Sequence, residues 1–187
     1  MSFTNLQNHF LIAMPHLKEI HFHRAVIYLC AHNEEGAMGM IVNHPLIDIH
    51  LDEVMRQMDI NIGTQKLDHI PVLLGGPVQP ERGFILHHKQ GKWESSLKVS
   101  DEIIMTSSQD ILQSLAKNQG PNKYLTLLGY AGWSNEQLEK EIIDNDWLVA
   151  PAKSHILFDT PFEERWSQAA QSIGVDMNNL LDDIGHA

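Results

Sequence analysis

Apolar residues along this chain come in short runs divided by polar turns, and the spacing of the runs separates strands from helices. Runs of four to eight residues predict strands at His9–Ala13, Arg24–Ala31, Gly36–Asn43, Ile70–Leu74, Gly83–His88, Trp93–Val99, Ile103–Thr106, Tyr124–Leu128, Trp147–Ala150 and His155–Phe158. Helical spacing marks four other stretches. Leu51, Val54, Met55 and Met58 recur at i, i+3, i+4 and i+7, and Asp52 and Glu53 suit the positive end of that helix dipole. Ile111, Leu112 and Leu115 form a second face, opened by Ser107 or Ser108 and closed by Gly120-Pro121. Leu138, Ile142 and Ile143 form a third. Phe162, Trp166, Ala169, Ala170 and Ile173 form a fourth, with Thr160-Pro161 before it and Gly174 after it. The methionines of the first helix are read as core packing. The acidic tail from Asp176 to Ala187 is expected to hold one short helical turn around Leu180-Leu181.

The early strands are joined by hairpin-length turns such as Asn33-Glu34-Glu35-Gly36, so the beginning of the sheet is expected to be antiparallel. The predicted class is α+β: one domain over residues 1–187, with a curved, mostly antiparallel sheet packed by helices near 51–58, 108–117, 134–145 and 161–173. No repeat or linker interrupts it.

Residues Tyr124–Pro151 organise the chain. They read as strand, glycine turn, helix and strand. Gly129 and Gly132 bracket Tyr130-Ala131, where the backbone is free to take a positive φ or to approach another group closely. Ser134 and Gln137 have the spacing of a capping box. Gly132-Trp133-Ser134-Asn135-Glu136 comes close to the G-x-S-x-G nucleophile elbow, but Glu136 stands where that motif needs its last glycine. A helix cap accounts for Ser134 without invoking catalysis. Gly75-Gly76 after a strand can cradle a phosphate, yet the lysine and hydroxyl of a P-loop are missing, so turn geometry is the reading preferred.

Three stretches in order carry a family resemblance. They are Gly36-Ala-Met-Gly-Met-Ile-Val-Asn43-His-Pro45, then Gly75-Gly-Pro-Val78 with Gly83-Phe-Ile-Leu-His87, then Gly129-Tyr-Ala-Gly-Trp133 with Gln137-Leu138-Glu139, Glu141-Ile142 and Trp147-Leu148. Together they resemble the bacterial YqgE/AlgH family, over nearly the whole chain from Asn5 to Ile184. The resemblance implies an α+β fold around a bifurcated, partly barrel-like sheet. It brings no assigned activity and no catalytic residues; one branch carries the label of a transcriptional regulator of exopolysaccharide synthesis. Ser134-Asn135-Glu136 departs from the more glycine-rich turn of many members, which argues against a fixed chemical site there.

Charge narrows the function classes. The formal net charge is −11, with 13 Lys and Arg scattered singly against 24 Asp and Glu. A duplex-DNA binder presents a basic patch, so direct nucleic-acid binding is disfavoured. The single cysteine, Cys30, sits in an apolar run and excludes an internal disulfide; it is read as a buried, inert thiol. No secretory signal or transmembrane run is visible, and the reading is cytoplasmic. Twelve histidines invite a metal hypothesis. His21 and His23 would share a strand face, and Asp48 and His50 are a similar pair. His87 and His88 would point to opposite faces, and no His-Glu-x-x-His spacing occurs. Neither metal nor cofactor is expected.

The leading expectation is a non-enzymatic protein that binds a protein partner or a small ligand, with a regulatory role as one form of it. The second is a ligand sensor or enzyme with its site near the Gly75-Gly76 and Tyr130–Gln137 turns. The third is a transcriptional regulator. Candidate ligand-binding residues are Asn43, Gly75, Gly76, Tyr130, Gly132, Trp133 and Gln137. Each also has a plain structural role open to it: core aromatic, capping box or turn.

Overall fold

The computed structural model describes residues 3–185. Strands β1 (His9–Ala13), β2 (Val26–Asn33) and β3 (Gly36–Ile41) form an antiparallel meander, with β10 (Trp147–Pro151) added antiparallel beside β1. The second wing holds β6 (Val78–His88), β8 (Ile103–Thr106) and β7 (Ser96–Lys98), also antiparallel. Strand β9 (Tyr124–Ser134) joins the wings, giving the order β10-β1-β2-β3-β9-β6-β8-β7 in a ten-stranded sheet. The remaining strands, β4 (Pro45–His50) and β5 (Pro71–Leu74), form a branch: β4 pairs with β5, and β5 lies parallel to β9. The sheet curls into a half-barrel, and the class is α+β as expected.

The fork has a local cause. One edge of β9 belongs to β6. The other is divided: Thr126–Leu128 pair with β5, and Ala131–Ser134 pair with β3. Between them Gly129 takes φ +73°, which re-aims the strand. The end of β5 wedges into the gap. Gly75 N–H donates to the Leu128 carbonyl at 2.7 Å, and the Gly75 carbonyl accepts from Ile41 N–H at 2.7 Å. No side chain fits there. A Cβ on Gly75 would lie 2.3 Å from the Gly129 oxygen, and one on Gly76 would lie 2.1 Å from the Tyr130 carbonyl carbon.

Period-two alternation supplies a core on each face. Phe10, Ile12, Val26, Tyr28, Met40, Phe84, Leu86, Leu125 and Leu127 face one side. Helices α4 (Ser154–Phe158), α5 (Phe162–Gln171) and α6 (Met177–Gly185) cover that side through Ile156, Leu157, Trp166, Ala169 and Met177. The Trp166 indole donates to the Ala13 carbonyl at 2.8 Å, and the buried Arg165 guanidinium donates to the carbonyls of Thr160 and Val42. The opposite face carries two smaller cores. Leu11, Ile27, Leu29, Ile41, Trp133 and Trp147 pack under α3 (Gln137–Ile143). Ile85 packs under α1 (Leu51–Gln57) and α2 (Gln109–Ala116) with Leu51, Met55, Ile111, Leu112 and Leu115. Cys30 is fully buried, and burial pushes its thiol up to about 12. Among the described residues no helix is long and apolar enough to cross a membrane.

Several expectations are corrected. The expected glycine turn at 129–132 is absent, because β9 runs through it to Ser134. The third helix is only Gln137–Ile143, entered through Glu136 in the left-handed conformation rather than capped by Ser134. Half of the capping box forms: Ser134 N–H donates to Gln137 Oε1 at 3.0 Å. The run at 155–158 is helix α4, not a strand; the adjacent buried pair Ile156-Leu157 suits either, and a four-residue run has no period to decide between them. Pro45–His50 adds a strand absent from the sequence reading, while Trp93–Val99 contracts to Ser96–Lys98. His21 and His23 lie in a turn. The tail helix is longer than one turn, and residues 186 and 187 fall outside the described residues.

Gly76→Ala is expected to destabilise the protein by at least ~3 kcal/mol, since its Cβ meets backbone that cannot retreat. Gly132→Ala, whose nearest neighbour is a Tyr130 ring carbon at 3.6 Å, should change stability by under ~1 kcal/mol. Urea denaturation midpoints of the two variants check the contrast.

Candidate functional site

The sequence-chosen residues divide into separate places. Asn43 staples the β2–β3 hairpin: its Oδ1 accepts from Val26 N–H at 2.9 Å and its Nδ2 donates to the Arg24 carbonyl at 2.8 Å. Gly75 and Gly76 fill the fork with backbone. Tyr130 beside them stacks edge-on against Phe84, with ring centroids 6.0 Å apart. Gly132, Trp133 and Gln137 lie further along β9 and into α3, where they line a small cavity of about 110 Å³.

That cavity centres on Glu141, which the sequence reading placed in a motif but not in a site. One carboxylate oxygen accepts both indole N–H groups, Trp133 at 2.8 Å and Trp147 at 2.9 Å. The other accepts from Gln137 Nε2 at 2.9 Å. Trp133 and Trp147 meet edge-to-face, and Phe22 meets Trp147 in the same way. A carboxylate with its acceptor sites engaged by its own chain ties α3 and β10 to β9; it leaves little to offer a ligand.

A better site lies on the other wing. The register sets five residues in one row across the sheet: Ser96, Thr106, Ile85, Thr126 and Val72. Helices α1 and α2 lie over this row but stay apart where it is made of small side chains. Gly83, two residues before Ile85 on the same strand, contributes none; its Cβ direction is open, with nothing within 4 Å. The result is a pocket of about 390 Å³. Thr106, Ile85, Thr126 and Leu128 form its floor, Val54 and Met58 one wall, and Leu112 and Gln109 the other. Glu81 and Arg82 stand at the mouth. The size and the mixture of apolar wall with a few polar groups are those of a small-molecule site.

Two hydroxyls in the floor differ sharply. Thr106 Oγ1 lies 2.8 Å from His87 Nε2 and 2.8 Å from Ser96 Oγ, and His87 Nδ1 lies 2.7 Å from the His88 carbonyl. Burial lowers the His87 pKa, the adjacent carbonyl only partly opposing it, so the ring is neutral near pH 7. With Nδ1–H donating to the carbonyl, Nε2 accepts the Thr106 proton. This is a hydroxyl–imidazole pair, but Thr106 is wholly buried and its partners are satisfied. It serves as a strut, with Trp93 edge-on to the imidazole at 5.1 Å. Thr126 Oγ1, by contrast, is buried without any hydrogen-bond partner. Its neighbours Leu125 and Leu127 enter the opposite core, which places Thr126 on the pocket side of the sheet.

Neither Gly83 nor Thr126 was chosen from sequence. Gly83 lay inside a family stretch, but its meaning depends on which face it vacates. Thr126 was the one polar residue in the Tyr124–Leu128 run, and that was the available signal. Among the described residues no group of three His, Cys, Asp or Glu could hold a metal ion. His87 and His88 do point to opposite faces, His88 reaching Ser154 Oγ at 2.7 Å on the α4 side.

A family model described as AlgH-like matches residues 10–178. A UPF0301 protein of Legionella pneumophila is 50% identical over 184 residues, covering 98% of each chain. One from Nitrosococcus oceani is 48% identical over 181 residues, covering 97% of this chain and 96% of its own. The solution structure of the AlgH protein from Pseudomonas aeruginosa has 46% identity and a TM-score of 0.81, over 97% of this chain and 95% of that one. A crystal structure from Corynebacterium diphtheriae, 18% identical with a TM-score of 0.74, covers 96% of this chain and 93% of that one, and shares the fold.

Glu141→Ala should cost about 2–4 kcal/mol by leaving two buried indole N–H groups without an acceptor, whereas Glu141→Gln should cost less because one acceptor oxygen remains. Urea unfolding followed by tryptophan fluorescence reads both. Thr126→Val, which removes an orphaned buried hydroxyl at nearly constant volume, should stabilise the free protein by about 1 kcal/mol. A melting temperature higher by about 2–4 °C is the expected result in calorimetry.

Proposed function

This chain belongs to the AlgH-like family, and on that premise we propose that it is a ligand-binding protein whose small-molecule site is the pocket between α1, α2 and the β6–β9 floor. The observation that carries the reading is the vacancy at Gly83: the sheet withholds a side chain where two helices leave a gap. Binding is favoured over catalysis because the polar side chains along the floor and walls are hydroxyls and the Gln57 and Gln109 amides, and the one hydroxyl–imidazole pair there is buried and internally satisfied. A cytoplasmic sensor that changes its affinity for a protein partner fits the regulatory label of one branch of the family. Direct action on DNA fits poorly with a net charge of −11.

Gly83→Leu tests the site without straining the fold, because its side chain enters open space. A metabolite panel is screened by thermal shift against wild type and this variant. A ligand at a hundredfold its Kd adds about 2.7 kcal/mol, or very roughly 5–10 °C for a chain of this length. The expected outcome is a shift in wild type that is lost in Gly83→Leu while that variant still melts cooperatively. A shift of equal size in both would place the ligand elsewhere and sink the reading.

A further inference from the structure

A second recess lies on the other wing and shares no lining residue with the pocket between α1 and α2. It is an open groove of about 810 Å³ between the segment before β1 and helix α3. One imidazole fixes both sides of it. His32, whose side chain is 1% exposed, accepts from Leu6 N–H at Nδ1, 3.0 Å away, and its Nε2 donates to Glu139 of α3 at 2.8 Å. Phe3 packs against the same ring, with centroids 4.7 Å apart. The groove is therefore preformed, which lowers the ordering cost of docking into it. Its lining is apolar at Phe3, Leu6, Ile142 and Ile143. Phe3 is 39% exposed and Ile143 77%, two of the few large apolar side chains left in water among the described residues. Their convergence on one recess is the mark of an interaction surface.

The rim defines what the partner carries. Glu34 from the β2–β3 turn, Glu136 before α3 and Glu139 within it border the groove, against one cation, Lys140. Among the described residues Glu34 and Glu136 form no ion pair. Glu136 also holds the left-handed conformation, φ 62°, so a carboxylate stands where glycine would sit without strain. Such a rim repels nucleic acid and anionic membrane surfaces. We infer that the groove docks a basic amphipathic segment of a partner protein. Its apolar face lies on Phe3, Ile142 and Ile143, and its Lys or Arg side chains face Glu34, Glu136 and Glu139. The net charge of −11 speeds the encounter, the rim sets the orientation, and burial of Ile143 supplies affinity.

Three synthetic peptides of equal length test this, each titrated into the full chain and followed by amide chemical shifts. The first has leucines at i, i+3, i+4 and i+7 with lysines between them; the second keeps the leucines and has glutamates for the lysines; the third is the first with its residues shuffled to scatter the apolar face. The lysine amphipath should bind about tenfold more tightly than either of the others, with the largest shifts at Leu6, His32 and residues 136–143. Ile143→Arg alters a side chain that is mostly in water, so the variant should melt as wild type does and bind this peptide about tenfold more weakly. Glu136→Gly suits the left-handed backbone and should keep the fold while weakening binding about threefold. Gly83→Leu should leave peptide binding unchanged, which keeps this result apart from that for the pocket. Equal or tighter binding by the glutamate or the shuffled peptide, no binding by the lysine amphipath, shifts centred elsewhere, or unchanged affinity in Ile143→Arg would each overturn the inference. Self-association of the free chain that Ile143→Arg abolishes would also overturn it, because the occupant would then be a second copy.

Discussion

The architecture turns on a backbone crossing. Gly75-Gly76 at the end of β5 lies so close to Gly129-Tyr130 in β9 that main-chain atoms occupy the places of side chains. Two consequences follow from that contact. The edge of β9 is shared by β3 and β5 in succession, so one sheet becomes two wings with a branch. The outer face also cannot be covered by one continuous helical layer. Helix α3 closes the wing that carries β1–β3 and β10, and α1 with α2 closes the other. The inner face, untouched by the fork, keeps a single core under α4, α5 and α6.

The division of the outer face explains why its two sides differ in finish. On the α3 side, large aromatics are locked by Glu141, whose carboxylate serves two indoles and an amide at once. On the other side the floor residues are Thr106, Ile85, Thr126 and an absent side chain at Gly83, under helices of seven and eight residues. Interiors normally fill to crystal-like density, so space of this size between two packed helices and a sheet is itself informative.

This contrast also explains what the sequence could and could not reveal. The continuous apolar runs of β1 and β2, buried on both faces, the helical stripes of α1, α2 and α5, and the α+β class were readable because sequence pattern and burial coincide there. The family stretches drew attention to Trp133, Gln137, Gly75 and Gly76, which are conspicuous because aromatic side chains, caps and glycines carry strong local signals. In the structure these residues hold the scaffold together. The pocket residues are inconspicuous: Thr126 interrupts an apolar run, and Gly83 opens one. Their significance comes from register, since only the pairing of Ile85 with both Thr106 and Thr126 puts the two hydroxyls on one floor. Helix α4 was misread for the complementary reason, as Ile156 and Leu157 are too few to show a period.

Thr126 stands apart when the buried polar side chains are compared. His32 accepts from Leu6 N–H and meets Glu139, His87 and Thr106 satisfy each other, and the Arg165 guanidinium has the carbonyls of Thr160 and Val42. Each of these ties together segments distant in sequence, and each repays its desolvation through hydrogen bonds. A valine in place of Thr126 would fill nearly the same volume without a desolvated hydroxyl, so packing alone does not account for threonine.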